Sequence, residues 1–127
     1  PVLDMVERYA RPNDMGNREE TRAVALGTGR GDGVTFATLG KPFAFSAIPY
    51  SPTELVETMH PAELPPAAKT EFGIFCATRG LGGASCGPGP MARDIIRNDR
   101  TYHLDFMIRP ARRSPLCALS LPAPAEK

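Results

Sequence analysis

The sequence predicts an all-β fold, an antiparallel β-sandwich carrying one short helix. Three observations lead there. Fourteen prolines and twelve glycines cut the 127 residues into short segments, and glycine and proline are the strongest local punctuators of structure. Several of those segments are apolar or alternate with period two, the spacing that puts one strand face on a core. A strong helix-start signal appears at one place. Successive short strands separated by turn residues point to a sandwich.

Taken in order, "RPNDMGNREETR" (Arg11 to Arg22) comes first. It gathers three arginines with Asn, Asp and Glu around Gly16. It reads as a polar turn leading into a strand. Its forked donors and carboxylates also suit a hydroxyl-rich ligand or the rim of a domain interface. "TRAVALG" (Thr21 to Gly27) reads as a strand, and "TGRGDG" as the hairpin loop after it. Arg30-Gly31-Asp32 is a tripeptide known from adhesion ligands, but its flanking glycines are what a tight hairpin requires. "GVTFATLG" and "PFAFSAIPY" are two further strands.

The helix is predicted over Ser51 to Met59. Ser51 serves as N-cap, Pro52 fits the first helical position and Glu54 completes a capping box. Leu55, Val56 and Met59 form its apolar side, and Pro61 ends it. "EFGIFCA" (Glu71 to Ala77) is apolar on both faces and is expected as a central strand. In "TYHLDFMIRP", Tyr102, Leu104, Phe106 and Ile108 share one face, and His103, Asp105, Met107 and Arg109 the other. Pro110 is expected to stop this strand, because it has no N–H for the ladder. "LPAPAEK" is expected to fray.

Charge and composition narrow the function. Fifteen Lys and Arg against fourteen Asp and Glu leave a net charge of +1, which gives no general attraction to nucleic acid or to an anionic membrane. No apolar run approaches the roughly 20 residues of a membrane helix, and the opening segment does not read as a signal peptide. The start at Pro1, without Met, reads as a chain that was processed, cut, or expressed as a piece of something longer. Cys76, Cys86 and Cys117 match no zinc spacing and are expected as free thiols, as in a reducing compartment.

Chemical motifs are sparse. "GLGGASCGPGP" shares only its glycines with a phosphate loop and lacks the Lys-Ser/Thr pair. Cys86 with His60 or His103 has no local motif of a cysteine hydrolase. His60 follows the helix, where its cation is favoured, and His103 sits on a strand. Glu71 and Asp105 are carboxylates without a recognisable frame, so an exposed or ion-paired surface is expected for both.

Two long stretches resemble the C-terminal β-sandwich of the glycoside hydrolase family 2 β-galactosidases. In "ERYARPNDMGNREETRAVAL", Pro12, Asp14, Gly16, Arg18 and Arg22 fall on the family's Pro-x-(Glu)-(Asn)-Gly-x-Arg stretch and the Arg beyond it. In "PFAFSAIPYSPTELVETMHPAELP", Phe43, Phe45, Tyr50, Ser51, Leu55, His60 and Leu64 match the next motif in order. "RGLGGASCGPGP" resembles the family's Gly-x-Gly-Gly loop, and "YHLDFMIRP" its closing strand. The resemblance runs to about Pro110. Two departures stand out. The family loop often reads Gly-Gly-Asp-Asp-Ser-Trp, its Trp stacking on the sugar, whereas this chain has Gly-Gly-Ala-Ser-Cys and no Trp. Asp14 and Met15 stand where Glu and Asn are common.

The resemblance implies a supersandwich of the galactose mutarotase-like type, with residues 1–110 as the later part of that domain and 111–127 as a C-terminal tail. It implies a non-catalytic piece of an enzyme that hydrolyses terminal β-D-galactosyl residues of lactose-type substrates. Retaining glycosidases use two carboxyl groups about 5–5.5 Å apart. In the family both glutamates, and the Mg and Na ligands, belong to an upstream barrel, so no cofactor is expected here. The implied partners are that barrel on the same polypeptide and a galactoside, with no nucleic acid and no membrane. Self-association through an exposed sheet edge is a further expectation, and the implied location is cytoplasmic. Gly82, Gly83, Ser85 and Cys86 are the expected substrate-proximal loop. Asp14, Asn17, Arg18 and Arg22 form the expected polar loop, with Arg18 and Arg22 bracing rather than touching sugar. A free-standing carbohydrate-binding or adhesion module is the alternative. Such modules need exposed aromatic rings for stacking, and the rings here fall mostly on apolar strand faces.

Overall fold

The computed structural model describes residues 1–28, 32–79 and 87–112. Among the described residues six strands form two antiparallel three-stranded sheets: β1 (Asn17–Thr21), β2 (Ala23–Gly27), β3 (Asp32–Thr38), β4 (Phe43–Ile48), β5 (Glu71–Phe75) and β6 (Phe106–Arg112). The first sheet has the order β1-β4-β5 and the second β2-β3-β6. The chain therefore changes sheet at Arg22, which alone separates β1 from β2. Its carbonyl already accepts the N–H of Thr38 at 2.9 Å, so pairing with the second sheet begins there. The segment expected as one strand over Thr21 to Gly27 is thus two strands in different sheets. The hairpin expected at "TGRGDG" forms, with Ala23 to Gly27 paired in register against Ala37 to Gly33. Residues 29–31 of its loop lie outside the described residues.

The sheets meet through phenylalanines. The Phe36 ring from β3 lies 4.8 Å from the Phe72 ring of β5, and Phe72 lies 6.0 Å from Phe45 of β4. Tilted rings at these distances match the preferred aromatic geometry. Alternation along β4 sends Phe43, Phe45 and Ala47 to this side and Ala44, Ser46 and Ile48 to the other. On that other face Ile48 packs with Met15 and Leu55, ringed by Met5, Val6, Tyr50 and Leu64. β4 is covered on both faces, with Phe43 only 2% exposed. That is why "FAFSAI" is apolar at nearly every position.

The helix forms for the reason its sequence states. α1 (Pro52–Glu57) starts at Ser51, whose Oγ accepts the N–H of Glu54 at 3.3 Å. Glu54 Oε2 accepts the N–H of Ser51 at 2.6 Å in return. The helix stops earlier than Met59, because Thr58 is extended and Thr58 Oγ1 bonds back to the Glu54 carbonyl at 2.6 Å. Of its expected apolar side, Leu55 is buried, while Val56 and Met59 are exposed.

Two strand expectations are corrected. β5 pairs only with β4 among the described residues and is an edge of its sheet, not the centre. Its apolar outer positions are half-exposed, and Phe75 folds its ring over Gly73, where a Cβ would sit 2.7 Å from the ring. β6 begins only at Phe106, leaving Tyr102 to Asp105 outside the ladder. It passes through Pro110, which faces Val34, and continues to Arg112. An edge strand can hold a proline because one row of its N–H groups faces away from the ladder.

Candidate functional site

The polar segment is anchored from beneath. Pro12, Met15 and Gly16 are buried while Asp14, Asn17 and Arg18 point to solvent. Gly16 has φ +73°, and a Cβ there would lie 2.6 Å from Ile48 Cγ2 and 3.2 Å from the Met5 carbonyl. Only glycine lets this backbone press onto the end of β4 in that conformation. Arg11 Nη2 donates to the Val56 carbonyl at 3.3 Å, tying the start of the segment to α1. The Asp14 N–H donates to Asn13 Oδ1 at 2.9 Å, a contact between adjacent residues.

Of the expected polar-loop residues, Asn17 and Arg18 lie on β1 and Asp14 on the turn before it. Arg18 Nη1 donates to the Asn17 carbonyl at 2.8 Å. That bond is to the backbone of the residue immediately before it. Arg22 contributes its carbonyl to the β3 pairing, with its side chain exposed. Gly82, Gly83, Ser85 and Cys86 lie outside the described residues.

β1 is irregular where the site begins. Arg18 faces Phe45 and Thr21 faces Phe43, so Glu19 and Glu20 together oppose Ala44. This is a β-bulge, and it holds Glu20 at φ +51°. Glu19 Oε1 accepts a hydrogen bond from Thr78 Oγ1 at 3.1 Å. The polar segment and the stem of the glycine-rich segment thus meet at one end of the first sheet. Neither Glu19 nor Thr78 carries a motif, and the pair is separated by more than half the described chain. A hydroxyl shortly before a glycine run is too common a pattern to single out Thr78.

The remaining candidates are dispersed. His60 is exposed and opens the 3-10 turn Pro61–Glu63, where its N–H donates to Glu63 Oε2 at 3.0 Å. His103 and Asp105 are exposed ahead of and beside β6. Cys76 is an exposed free thiol. Glu71 is ion-paired with Lys69 at 2.9 Å, and Lys69 also reaches Glu54 at 3.8 Å. The Glu71 hydrogen bond raises the Lys69 pKa. The Ser51 backbone N–H, then its hydroxyl, lowers the Glu54 carboxyl pKa. These groups stitch α1 to β5. Among the described residues no three His, Cys, Asp or Glu side chains gather as a metal site, and no helix is long and apolar enough to cross a membrane.

β6 shows a second feature. Register places Phe106 and Ile108 on the same side as Phe36, the side that faces the first sheet. Phe106 touches Phe36, with ring centroids 6.2 Å apart, yet Ile108 is 59% exposed. Among the described residues the inward side of β6 is only partly covered, and least so at Ile108.

Comparison with known proteins shows similarity over most of the chain. The family described as "Beta galactosidase small chain" matches residues 1–108. A β-galactosidase of Streptococcus thermophilus is 29% identical over 103 residues, 80% of this chain and 10% of that protein. One of Halalkalibacterium halodurans is 29% identical over 108 residues, 84% of this chain and 11% of its own length. A "Beta-galactosidase small subunit" of Latilactobacillus sakei is 41% identical over 51 residues, covering 40% of this chain and 16% of that protein. The chain thus spans about a tenth of the length of the first two relatives.

Proposed function

The chain belongs to the family of beta galactosidase small chains, and on that premise we propose that it is a non-catalytic domain of a β-galactosidase that helps complete the substrate site. The observation that carries this reading is the family match over residues 1–108 combined with the tenth of each large relative that it occupies. Paired carboxylates for glycosyl transfer would be supplied by the other nine-tenths, an upstream barrel with its own Mg and Na. This domain adds the polar segment around Asp14 and Arg18 and the segment holding Gly82, Gly83, Ser85 and Cys86. The substrate class is a terminal β-galactoside, lactose among them.

The open side of β6 supports association with that larger part. Among the described residues an apolar sheet face is exposed at Ile108, with Phe106 beside it, and such a surface is available to a partner. The occupant we favour is the rest of the same enzyme, whose length exceeds this chain several-fold in the relatives matched. A second copy of the chain, paired edge to edge, is the competing occupant.

Two experiments test the reading. The isolated chain, incubated at high concentration with a chromogenic β-galactoside, is expected to show no turnover. Turnover that copurifies with it and disappears on changing one of its own carboxylates would refute the proposal. In the complete enzyme, Cys86→Trp is expected to change KM or acceptor preference, while Cys86→Ser changes kcat little. Unchanged constants in both variants would remove this segment from the site.

A further inference from the structure

We propose that the outer edge of β5 takes an extended strand from the larger part of the same enzyme, and that this strand also covers Phe106 and Ile108 of β6. The inference rests on the reading that the chain is one domain of a β-galactosidase, and it names the surface through which that domain is completed.

Two independent observations point to one occupant. The first is an edge. Among the described residues β5 pairs only with β4, in continuous register from Ile48–Glu71 to Ala44–Phe75. Outer strands are commonly blunted against further pairing by a bulge, a proline or a charge. β1 carries a bulge between Arg18 and Thr21, and β6 carries Pro110. β5 has neither, and every one of its residues has an N–H. Its one charge, Glu71, is already paired with Lys69 at 2.9 Å. The second observation is a face. Ile108 pairs with Phe36 and Phe106 with Thr38, so both point to the side on which Phe36 meets Phe72. Among the described residues Ile108 is nevertheless 59% exposed and Phe106 36%.

Topology brings the edge and the face together. Both sheets are ordered from the side where Arg22 joins β1 to β2, so β5 and β6 close the opposite side. The Phe72 ring of β5 lies 4.8 Å from Phe36 of β3, the strand next to β6. The position one strand beyond β5, about 4.8 Å further on, is therefore on the β6 side of that contact. A strand there would pair its backbone with β5 and lay every second side chain toward Phe106 and Ile108, as the inner faces of a sandwich do. A helix or a loose loop could cover the face but would leave the β5 edge unpaired. The larger part of the enzyme is the source we assign, because the chain spans only 10% and 11% of two relatives. Its contribution is a strand with apolar residues at alternate positions.

The test uses the complete β-galactosidase that contains this chain. Hydrogen exchange of the unaltered enzyme, read by mass spectrometry, reports on the edge. With a strand on each side, all the amides of residues 71–75 should exchange at least about tenfold more slowly than those of exposed loops. About half of them exchanging at the loop rate would show an unpaired outer row and overturn the proposal. Ile108→p-benzoylphenylalanine, a photo-reactive replacement at an exposed position, reports on the occupant. Its main cross-link is expected within the same polypeptide, to a segment outside these 127 residues. A cross-link to residues 113–127 or to a second copy, or none at all, overturns the proposal. If the unaltered enzyme hydrolyses a β-galactoside in that case, the domain reading stands without it. A complete protein with no β-galactosidase activity would overturn the domain reading itself, whichever cross-link forms.

Discussion

The two sheets are built from the same number of strands and are finished to different degrees. In the first, β4 is covered on both faces. Phe43, Ala44, Ala47 and Ile48 are all buried, and Met15 and Leu55 close the outer side. In the second, Ala37 is the buried position, and the inward face thins out from Phe36 to a largely exposed Ile108. The first sheet owns its cover, because the N-terminal segment and α1 fold back onto it. Among the described residues the second meets the first through Phe36 and Phe72, and its strand β6 is the more exposed part. The contrast teaches where burial, and with it folding free energy, is concentrated among the described residues.

The largest expected break in that contrast is Phe43→Ala. Removing a fully buried ring from the central strand should destabilise the chain by about 3–5 kcal/mol, read as a lowered denaturant midpoint. A loss below 1 kcal/mol would mean that β4 is not the core. Gly16→Ala comes next. Its φ of +73° and the Cβ position 2.6 Å from Ile48 Cγ2 predict a loss of about 1–3 kcal/mol. Ile48→Val keeps that Cγ2 and removes only Cδ1, so it should not rescue Gly16→Ala.

The cap of α1 is a smaller lever. Ser51→Ala should cost about 1 kcal/mol, visible in the same titration. Its partner makes the cap pH-sensitive. The Glu54 carboxyl is held below its ordinary value of 4.5, first by the Ser51 backbone N–H. A depressed folded-state pKa contributes stability above the unfolded value and loses it as pH falls through the folded one. The stability difference between the parent and Glu54→Gln should therefore be present at neutral pH and shrink below pH 4.5. A difference that grows on acidification would show that the box does not act through the carboxylate.

The smallest effect is expected at Ile108→Ser. In the isolated chain it should change stability by no more than about 0.5 kcal/mol, since the side chain is already 59% exposed. In the complete enzyme the same change should loosen association with the larger part, measured by dissociation on dilution or in mild denaturant. A large loss in the isolated chain would show that the second sheet is as finished as the first.

Much of this was legible from residues alone. The Ser51-Pro52-Glu54 box specified the helix start because capping is a contact between near neighbours. Short apolar runs between turn residues marked β3 and β4, and the glycines around Asp32 marked the hairpin. The ordered motifs carried the family, which the match over residues 1–108 bears out. Errors came where a strand's surroundings mattered. "EFGIFCA" was apolar enough for a central strand, and only sheet order placed β5 at an edge. Pro110 reads as a stop because it lacks an N–H, but the missing donor is harmless on an edge.

What the sequence determined by itself was local: turns, the cap, the faces of strands and the family those patterns share. Tertiary structure alone decided which sheet each strand joins, that one residue, Arg22, carries the chain between sheets, and that β1 bulges so that Glu19 meets Thr78. The physical reason is range. Periodicity and capping act over a few residues and leave a readable pattern. A bulge register and a hydrogen bond between residues of distant segments depend on how strands from far along the chain are brought side by side, and no local pattern records that.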